Sequence, residues 1–254
     1  MAVQPVAPTY RTPSLFSPFT TLIAAESTRH GGVSSPPFAS LNLGINTEDQ
    51  VDNVNENRRR FFRDINADTF GFASSLQVHG TSVYLATEAG RVEGYDALIT
   101  NQPGLLVGVT VADCVPILIY DHENQAVAAI HAGWRGTVAG IVTSTLTTMA
   151  QQFGTTGENC YGYVGTCIDT TAFEIGEEVA AQFAPDYLRI NPNNQRVCAD
   201  LKSANADLLR QFGIPPTQIA VSPFSTVLHN ADYFSYRAEQ GQTGRMLAVI
   251  GIRK

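Results

Sequence analysis

The most apolar region of the chain, "GLLVGVTVADCVPILIYD" (104–121) followed after "HENQ" by "AVAAIHAGW" (126–134), constrains its fold more than any other segment. Its β-branched residues and short polar breaks favour two buried strands over a helix. Directly after it, "TVAGIVTSTLTTMAQQFG" (137–154) has helical spacing and stops at Gly154, where a C-terminal glycine belongs.

The same alternation continues on either side. "VDNVNENRRRFF" (51–62) reads as a helix capped by Asp52 or Asn53, and "SLQVHGTSVYLA" (75–86) and "YDALITN" (95–101) read as strands. Farther on, "CYGYVGTCI" reads as a strand, "GEEVAAQF" and "DLKSANADLLRQFGI" as helices, and "TGRMLAVIGIRK" as a closing strand. Strands and helices are mixed without a linker, repeat or low-complexity tract, so the pattern predicts one α/β domain. The proline-rich start, residues 1–16, is expected to be a flexible arm preceding a domain over 17–254.

Composition narrows the function. The net charge of -7 argues against general nucleic-acid or anionic-membrane binding. No segment approaches the roughly 20 apolar residues of a membrane span. Four scattered cysteines without a CxxC pair, behind a start unlike a secretion signal, predict reduced thiols and a cytoplasmic location.

Only five histidines are present, and two of them, His79 in "QVHG" and His131 in "IHAG", sit at strand edges beside glycines. Cys114 lies at another break, preceded by Asp113 and followed by Pro116. Two imidazoles and a thiolate make a three-ligand zinc site that leaves a position open for water or substrate. The same set also suits a metal-free Cys114 nucleophile with His131 as its base, and Asp113 is a candidate to orient a histidine in either version. With 34 residues between His79 and Cys114 and 16 between Cys114 and His131, spacing does not choose between these readings and ordinary buried polar groups.

Arg135 brings a planar fork suited to phosphate or carboxylate, and Trp134 brings a stacking face or a core plug. If Gly136 and Thr137 open the helix, backbone N–H groups there add an anion site. Arg29, His30, Asn42, Tyr236, Arg237 and Arg245 lie in other glycine-rich polar stretches. Any one of these arginines serves equally well as a structural ion pair, whereas together with Arg135 they could clamp an anion.

These residues resemble the YfiH-like, or laccase-domain, family, also known as polyphenol oxidases and multifunctional purine nucleoside phosphorylases. The resemblance runs through "TRHGGVSSPPFASLNLG", "NENR", "LQVHG", "DALITNQPG", "VADCVPILIYD", "IHAGWRGTVAGI", "FEIGEEV", "YFSYR" and "TGRM", nearly the whole chain. It implies a four-layer α/β/β/α fold with mixed β-sheets, and zinc held by His79, Cys114 and His131 as the catalytic centre. It further implies phosphorolysis of adenosine, inosine, guanosine or methylthioadenosine, with adenosine deamination in some members. Arg29, Asn42, Arg135 and Arg237 are the expected substrate-binding residues, with phosphate near Arg29, Arg135 or Arg237. Where many relatives resemble "GPCIGPCCYEVG", this chain has "GTCIDTTAFEIG", with Thr166, Asp169 and Thr170 at the departures.

Two further function classes compete. Two His and a Cys are also a blue-copper ligand set, but the axial Met candidates are only Met1, Met149 and Met246, and three remaining histidines are too few for a multicopper cluster. A metal-free Cys–His hydrolase or a non-catalytic binding module is the third class. Deamination fits the zinc reading chemically, although the signature with Glu two residues after a His is missing. Oligomeric state, preferred purine and the proton donor (Asp113, His30 or water) are not legible at this level.

Overall fold

Alternate residues of a strand face opposite sides of its sheet, and the central strands here are apolar on both sides, which requires cover on both. The structure, a computed structural model, describes residues 7–254 and supplies that cover in four layers. The first sheet runs in the order β1 (Tyr10–Arg11), β2 (Leu22–Ser27), β14 (Met246–Ile252), β7 (Leu105–Val111), β3 (Gly71–Leu76), β5 (Gly90–Glu93). The second runs β13 (Ile219–Val221), β10 (Cys160–Val164), β8 (Val115–Asp121), β9 (Ala126–Ala132), β6 (Ala97–Thr100), β4 (Val83–Leu85). Both sheets are mixed: β3 is parallel to β5 and β7, and β10 to β13, while β14 and β9 run antiparallel to their neighbours. A small hairpin, β11 (Leu188–Ile190) and β12 (Val197–Ala199), stands apart.

Side-chain alternation assigns each face. Val107 and Val109 of β7 and Ala248 and Ile250 of β14 meet Leu118 and Tyr120 of β8 and Val127 and Ala129 of β9 between the sheets. On the outer face of the first sheet, Leu106, Leu247 and Val249 pack with Phe61 of α1 (Val51–Asp64). Beyond the second sheet, Ile117, Ile119, Ala128 and Ile130 pack against Ile141, Leu146 and Met149 of α3 (Ile141–Phe153) and Leu209 of α5 (Leu201–Gln211). The order is therefore α/β/β/α. Two short helices, α2 (Trp134–Ala139) and α4 (Glu177–Ala180), complete the set, and among the described residues no helix is long and apolar enough to cross a membrane.

Several expectations need correction. The stretch 104–121 is two strands rather than one, because the chain turns at Ala112–Cys114 and passes from the first sheet to the second. The "QVHGTS" centre of 75–86 is a second such crossing, between β3 and β4. Gln50, not Asp52 or Asn53, caps α1, and Asp49 accepts the backbone N–H of Gln50 and the Asn53 amide. Of the expected N-terminal arm, residues 1–6 lie outside the described residues, while Tyr10–Arg11 pairs with Ser27 and Glu26 and Phe16 is buried between the sheets. Gly154 ends α3 with a left-handed φ of 76°, as its position predicts. All four cysteines are free thiols.

Candidate metal centre

The two crossings and the end of β9 meet at one end of the sandwich. Cys114 closes the β7–β8 crossing, His79 lies in the β3–β4 crossing, and His131 sits opposite Pro116 near the end of β9. One ligand atom from each of the three lies within 4.8 Å of the others, with Cys114 Sγ 3.9 Å from His79 Nε2. The imidazoles stand nearly perpendicular, their centroids 4.8 Å apart. No other group of three or more His, Cys, Asp or Glu converges in this way among the described residues.

Local backbone makes this convergence. His79 and Asp113 both adopt left-handed conformations, with φ of 62° and 87°, which cost a non-glycine residue about 1–2 kcal/mol. These conformations, at the two crossings, set His79 and Cys114 beside His131. Gly133, just past His131, is needed for space: a Cβ there would stand 3.0 Å from both Cys114 Sγ and His79 Cδ2. That close approach accounts for the "HAGW" sequence around the only tryptophan.

Asp96, at the start of β6, ties the crossing to His131. One of its oxygens accepts from His79 N (2.9 Å) and lies 2.7 Å from His131 Nδ1, while the other accepts from the N–H groups of Val78 and Gly80. Burial alone would raise the Asp96 pKa, but His131 and the backbone donors hold it below the ordinary carboxylate range. With Nδ1 committed to Asp96, His131 offers Nε2 to a metal or to Cys114. Burial likewise pushes the Cys114 thiol up, and the two histidines outweigh it, bringing the value down to about 6. His131 is correspondingly held above its usual range, since Cys114 and Asp96 overcome the desolvation that would lower it. A donor set of one ionisable thiolate and two oriented imidazoles fits zinc with one position left toward the cleft.

That cleft has a volume of about 680 Å³ and is lined by the triad with Trp134, Phe173, Tyr236 and four arginines, Arg58, Arg91, Arg237 and Arg245. Of the expected substrate residues, Arg237 lines it, while Arg29, Asn42 and Arg135 do not. Arg29 is spent on Glu239, 3.0 Å away, and on the carbonyls of Ala39 and Asn230. Asn42 is fully buried, donating to Thr47 and Asp49 and accepting from Gly44 and Arg245. Arg135 is exposed over the Trp134 ring. Gly136 and Thr137 do not open the helix: α2 begins at Trp134 with Gly133 as its cap, and Thr137 N already donates to Gly133 O.

Asp113 orients no histidine; its carboxylate accepts from Thr226, Ser235 and the backbone of Arg237, fixing the loop that carries Cys114. His30 pairs with Asp232, and His229 with Ser225. Neither is a cleft residue. Met149 is on the buried face of α3, and Met246 Sδ accepts from Phe234 N. Sequence reasoning missed Asp96, Arg58 and Arg91; an acidic residue opening the buried "ALIT" strand was the available signal for the first.

Comparison with known proteins adds a family. Residues 23–253 match the sequence profile of the family described as multi-copper polyphenol oxidoreductase laccase. A "Purine nucleoside phosphorylase" of Deinococcus radiodurans is 40% identical over 250 residues, covering 98% of this chain and 94% of the relative. Another protein of that name, from Bacteroides thetaiotaomicron, is 35% identical over 244 residues and 90% of each chain. Among solved structures, a hypothetical protein YfiH of Bacillus licheniformis superposes with a TM-score of 0.91 at 28% identity, over 97% of each chain.

Proposed function

Because the chain belongs to the multi-copper polyphenol oxidoreductase laccase family, whose relatives above carry the name purine nucleoside phosphorylase, we propose that it is a cytoplasmic enzyme that cleaves purine nucleosides with phosphate. The observation that carries this reading is the His79–Cys114–His131 triad opening onto a cleft lined by both aromatic rings and guanidinium groups. Adenosine, inosine, guanosine and methylthioadenosine are the proposed substrates. In the reaction a phosphate oxygen bonds to the anomeric carbon as the bond to the base breaks, and the base leaves with a proton. Charge builds on the sugar and on the departing base, so positioning and fixed electrostatics dominate the catalysis.

The chain's own residues divide that work. Trp134, Phe173 and Tyr236 offer planar faces to a purine. Arg237 stands over the Phe173 ring with its guanidinium donating to Ala172 O and Glu174 O, which holds that wall of the cleft in place. Asp96 keeps the His131 tautomer fixed. His79, Cys114 and His131 would hold zinc, which supplies Lewis acidity at this point of the cleft. Copper suits the same soft donors, but Met149 and Met246 are committed elsewhere, so no axial thioether is on offer among the described residues and phenol oxidation is the lesser reading.

Purified zinc-loaded protein incubated with adenosine or inosine, with and without phosphate, tests the proposal. Adenine and hypoxanthine are expected only with phosphate and are expected to vanish in Cys114→Ala. Inosine appearing from adenosine without phosphate would add deamination. If no base is released under any condition, while copper-loaded protein turns intensely blue and oxidises phenols rapidly, the phosphorylase reading is wrong.

A further inference from the structure

Six arginines form ion pairs among the described residues: Arg29 with Glu239, Arg59 and Arg60 with Glu56, Arg63 with Asp64, Arg196 with Glu174 and Arg210 with Asp207, and none of these lines the cleft. The four cleft arginines have no such partner among the described residues; Arg237 is spent on the carbonyls of Ala172 and Glu174, whereas Arg58, Arg91 and Arg245 all meet one short segment, Leu43–Asn46. Arg58 donates Nε and Nη2 to Leu43 O at 2.9 and 2.8 Å. Arg91 donates Nη2 to Asn46 Oδ1 at 2.8 Å. The Arg245 carbonyl accepts from Leu43 N, and its side chain lies so close to Gly44 that a Cβ there would be 2.6 Å from Arg245 Cγ.

The anchoring leaves donors unused. Arg58 spends nothing from Nη1, Arg91 nothing from Nη1, and Arg245, whose Nη1 donates to Thr243 O and Gly244 O, nothing from Nη2. Arg58 also stacks on Phe72 and Arg245 on Tyr236, so both forks are held before any ligand arrives. Burial, and for Arg58 the neighbouring Arg91 charge, disfavour the charged forms: Arg58 is lowered to about 10 and Arg245 is lowered as well. Guanidinium groups stay charged in proteins, so Arg58 and Arg91, neighbours without a direct ion pair, repel each other until an anion binds between them.

We propose that Arg58, Arg91 and Arg245 form a phosphate subsite in the cleft, built on the Leu43–Asn46 segment. Three forks lining one cleft match the several oxygens and double charge of a phosphate better than a single carboxylate. Arg58, Arg91 and Arg245 line the same cleft as His79, Cys114 and His131, so the subsite and the triad open onto one space. The assignment rests on the phosphorylase reading for its choice of inorganic phosphate as occupant, rather than the phosphate of a phosphorylated nucleoside.

Calorimetric titration of zinc-loaded protein with inorganic phosphate, with adenosine and with adenosine 5′-monophosphate, in wild type, Arg58→Gln, Arg91→Gln and Arg245→Gln, tests it. Each substitution is expected to weaken phosphate by about tenfold, the loss of a charge-assisted hydrogen bond, and to leave adenosine affinity unchanged. Arg91 is exposed, so its variant keeps the test valid should a buried one fail to fold. Unaltered phosphate affinity in the folded variants would overturn the subsite. Binding of the nucleotide that depends on these arginines, while inorganic phosphate neither binds nor competes, would overturn the choice of occupant. If phosphate binding falls as expected while the wild type releases no base, the subsite stands and the phosphorylase reading fails.

Discussion

Asp96 and Glu26 are the same functional group, each with almost no exposed surface (0% and 1%), and they are perturbed in opposite directions. Both accept several short hydrogen bonds. Asp96, under the triad, takes three backbone N–H groups and His131 Nδ1, and its pKa falls. Glu26, on the inner face of β2, takes Thr166 N at 2.7 Å, Thr166 Oγ1 at 2.9 Å and Tyr163 OH at 3.0 Å, tying the first sheet to the second, and its pKa rises. Burial is the largest influence on each and pushes both up, but Glu26 lies deeper, between the sheets, than Asp96 beneath the cleft, and the donors differ in charge as well. An imidazole that can carry a proton repays the desolvation of a carboxylate, whereas hydroxyl groups, a single amide and the more remote Lys202 do not. The first arrangement orients an imidazole of the triad and the second holds two sheets together.

Asp96→Asn should break the comparison most severely. It removes the charge that fixes His131 and leaves backbone donors facing an amide, so zinc affinity measured by chelator competition is expected to fall by about 10–100-fold, with nucleoside turnover falling alongside. Retention of both would mean that His131 is oriented by packing alone. Gly133→Ala comes next: its φ of -70° permits alanine, but the new methyl meets Cys114 Sγ and His79 Cδ2 at 3.0 Å. Turnover is expected to drop about tenfold as the ligands shift by tenths of an ångström, at a stability cost of about 1–3 kcal/mol in urea unfolding.

The pH dependence of stability sharpens the contrast. Asp96, depressed when folded, stabilises the protein above its unfolded pKa and ceases to do so as pH falls through the lower folded value. Glu26, raised when folded, is most favourable below its unfolded value of 4.5, and its contribution declines as pH rises from there through the folded value. Glu26→Gln should therefore flatten the decline above pH 4.5 seen in urea midpoints, and differ from wild type by only about 1 kcal/mol at pH 7. An unchanged slope would show that Glu26 titrates as it does in water. This is the smallest expected effect, because the substituted side-chain amide would retain one carbonyl acceptor for Thr166 N.

Much of this protein is readable along the chain. The β-branched runs at 104–121 and 126–134, the helix ending at Gly154 and the histidines beside Gly80 and Gly133 are local patterns, and local patterns report local structure. Resemblance along nearly the whole sequence pointed to His79, Cys114 and His131 together, which spacing could not. What remained illegible was every relation set by the third dimension. That Ala112–Cys114 and Gln77–Ser82 each pass from one sheet to the other follows from strand pairing, not from composition. For this reason one apolar stretch became two strands and "QVHGTS" became a loop. Arg29, Asn42 and Arg135 sit in segments as glycine-rich and polar as that of Arg237, yet only Arg237 faces the cleft. Whether an arginine meets a carboxylate or a cavity depends on which distant residue folding brings beside it. The sequence alone determined the layered apolar framework and supplied the reactive side chains, because burial follows periodicity. Only the tertiary structure decided that Asp96 rather than Asp113 holds His131, and that Arg58, Arg91 and Arg245 line one cleft without a direct ion pair among the described residues, because electrostatics depends on distances between residues far apart in the chain.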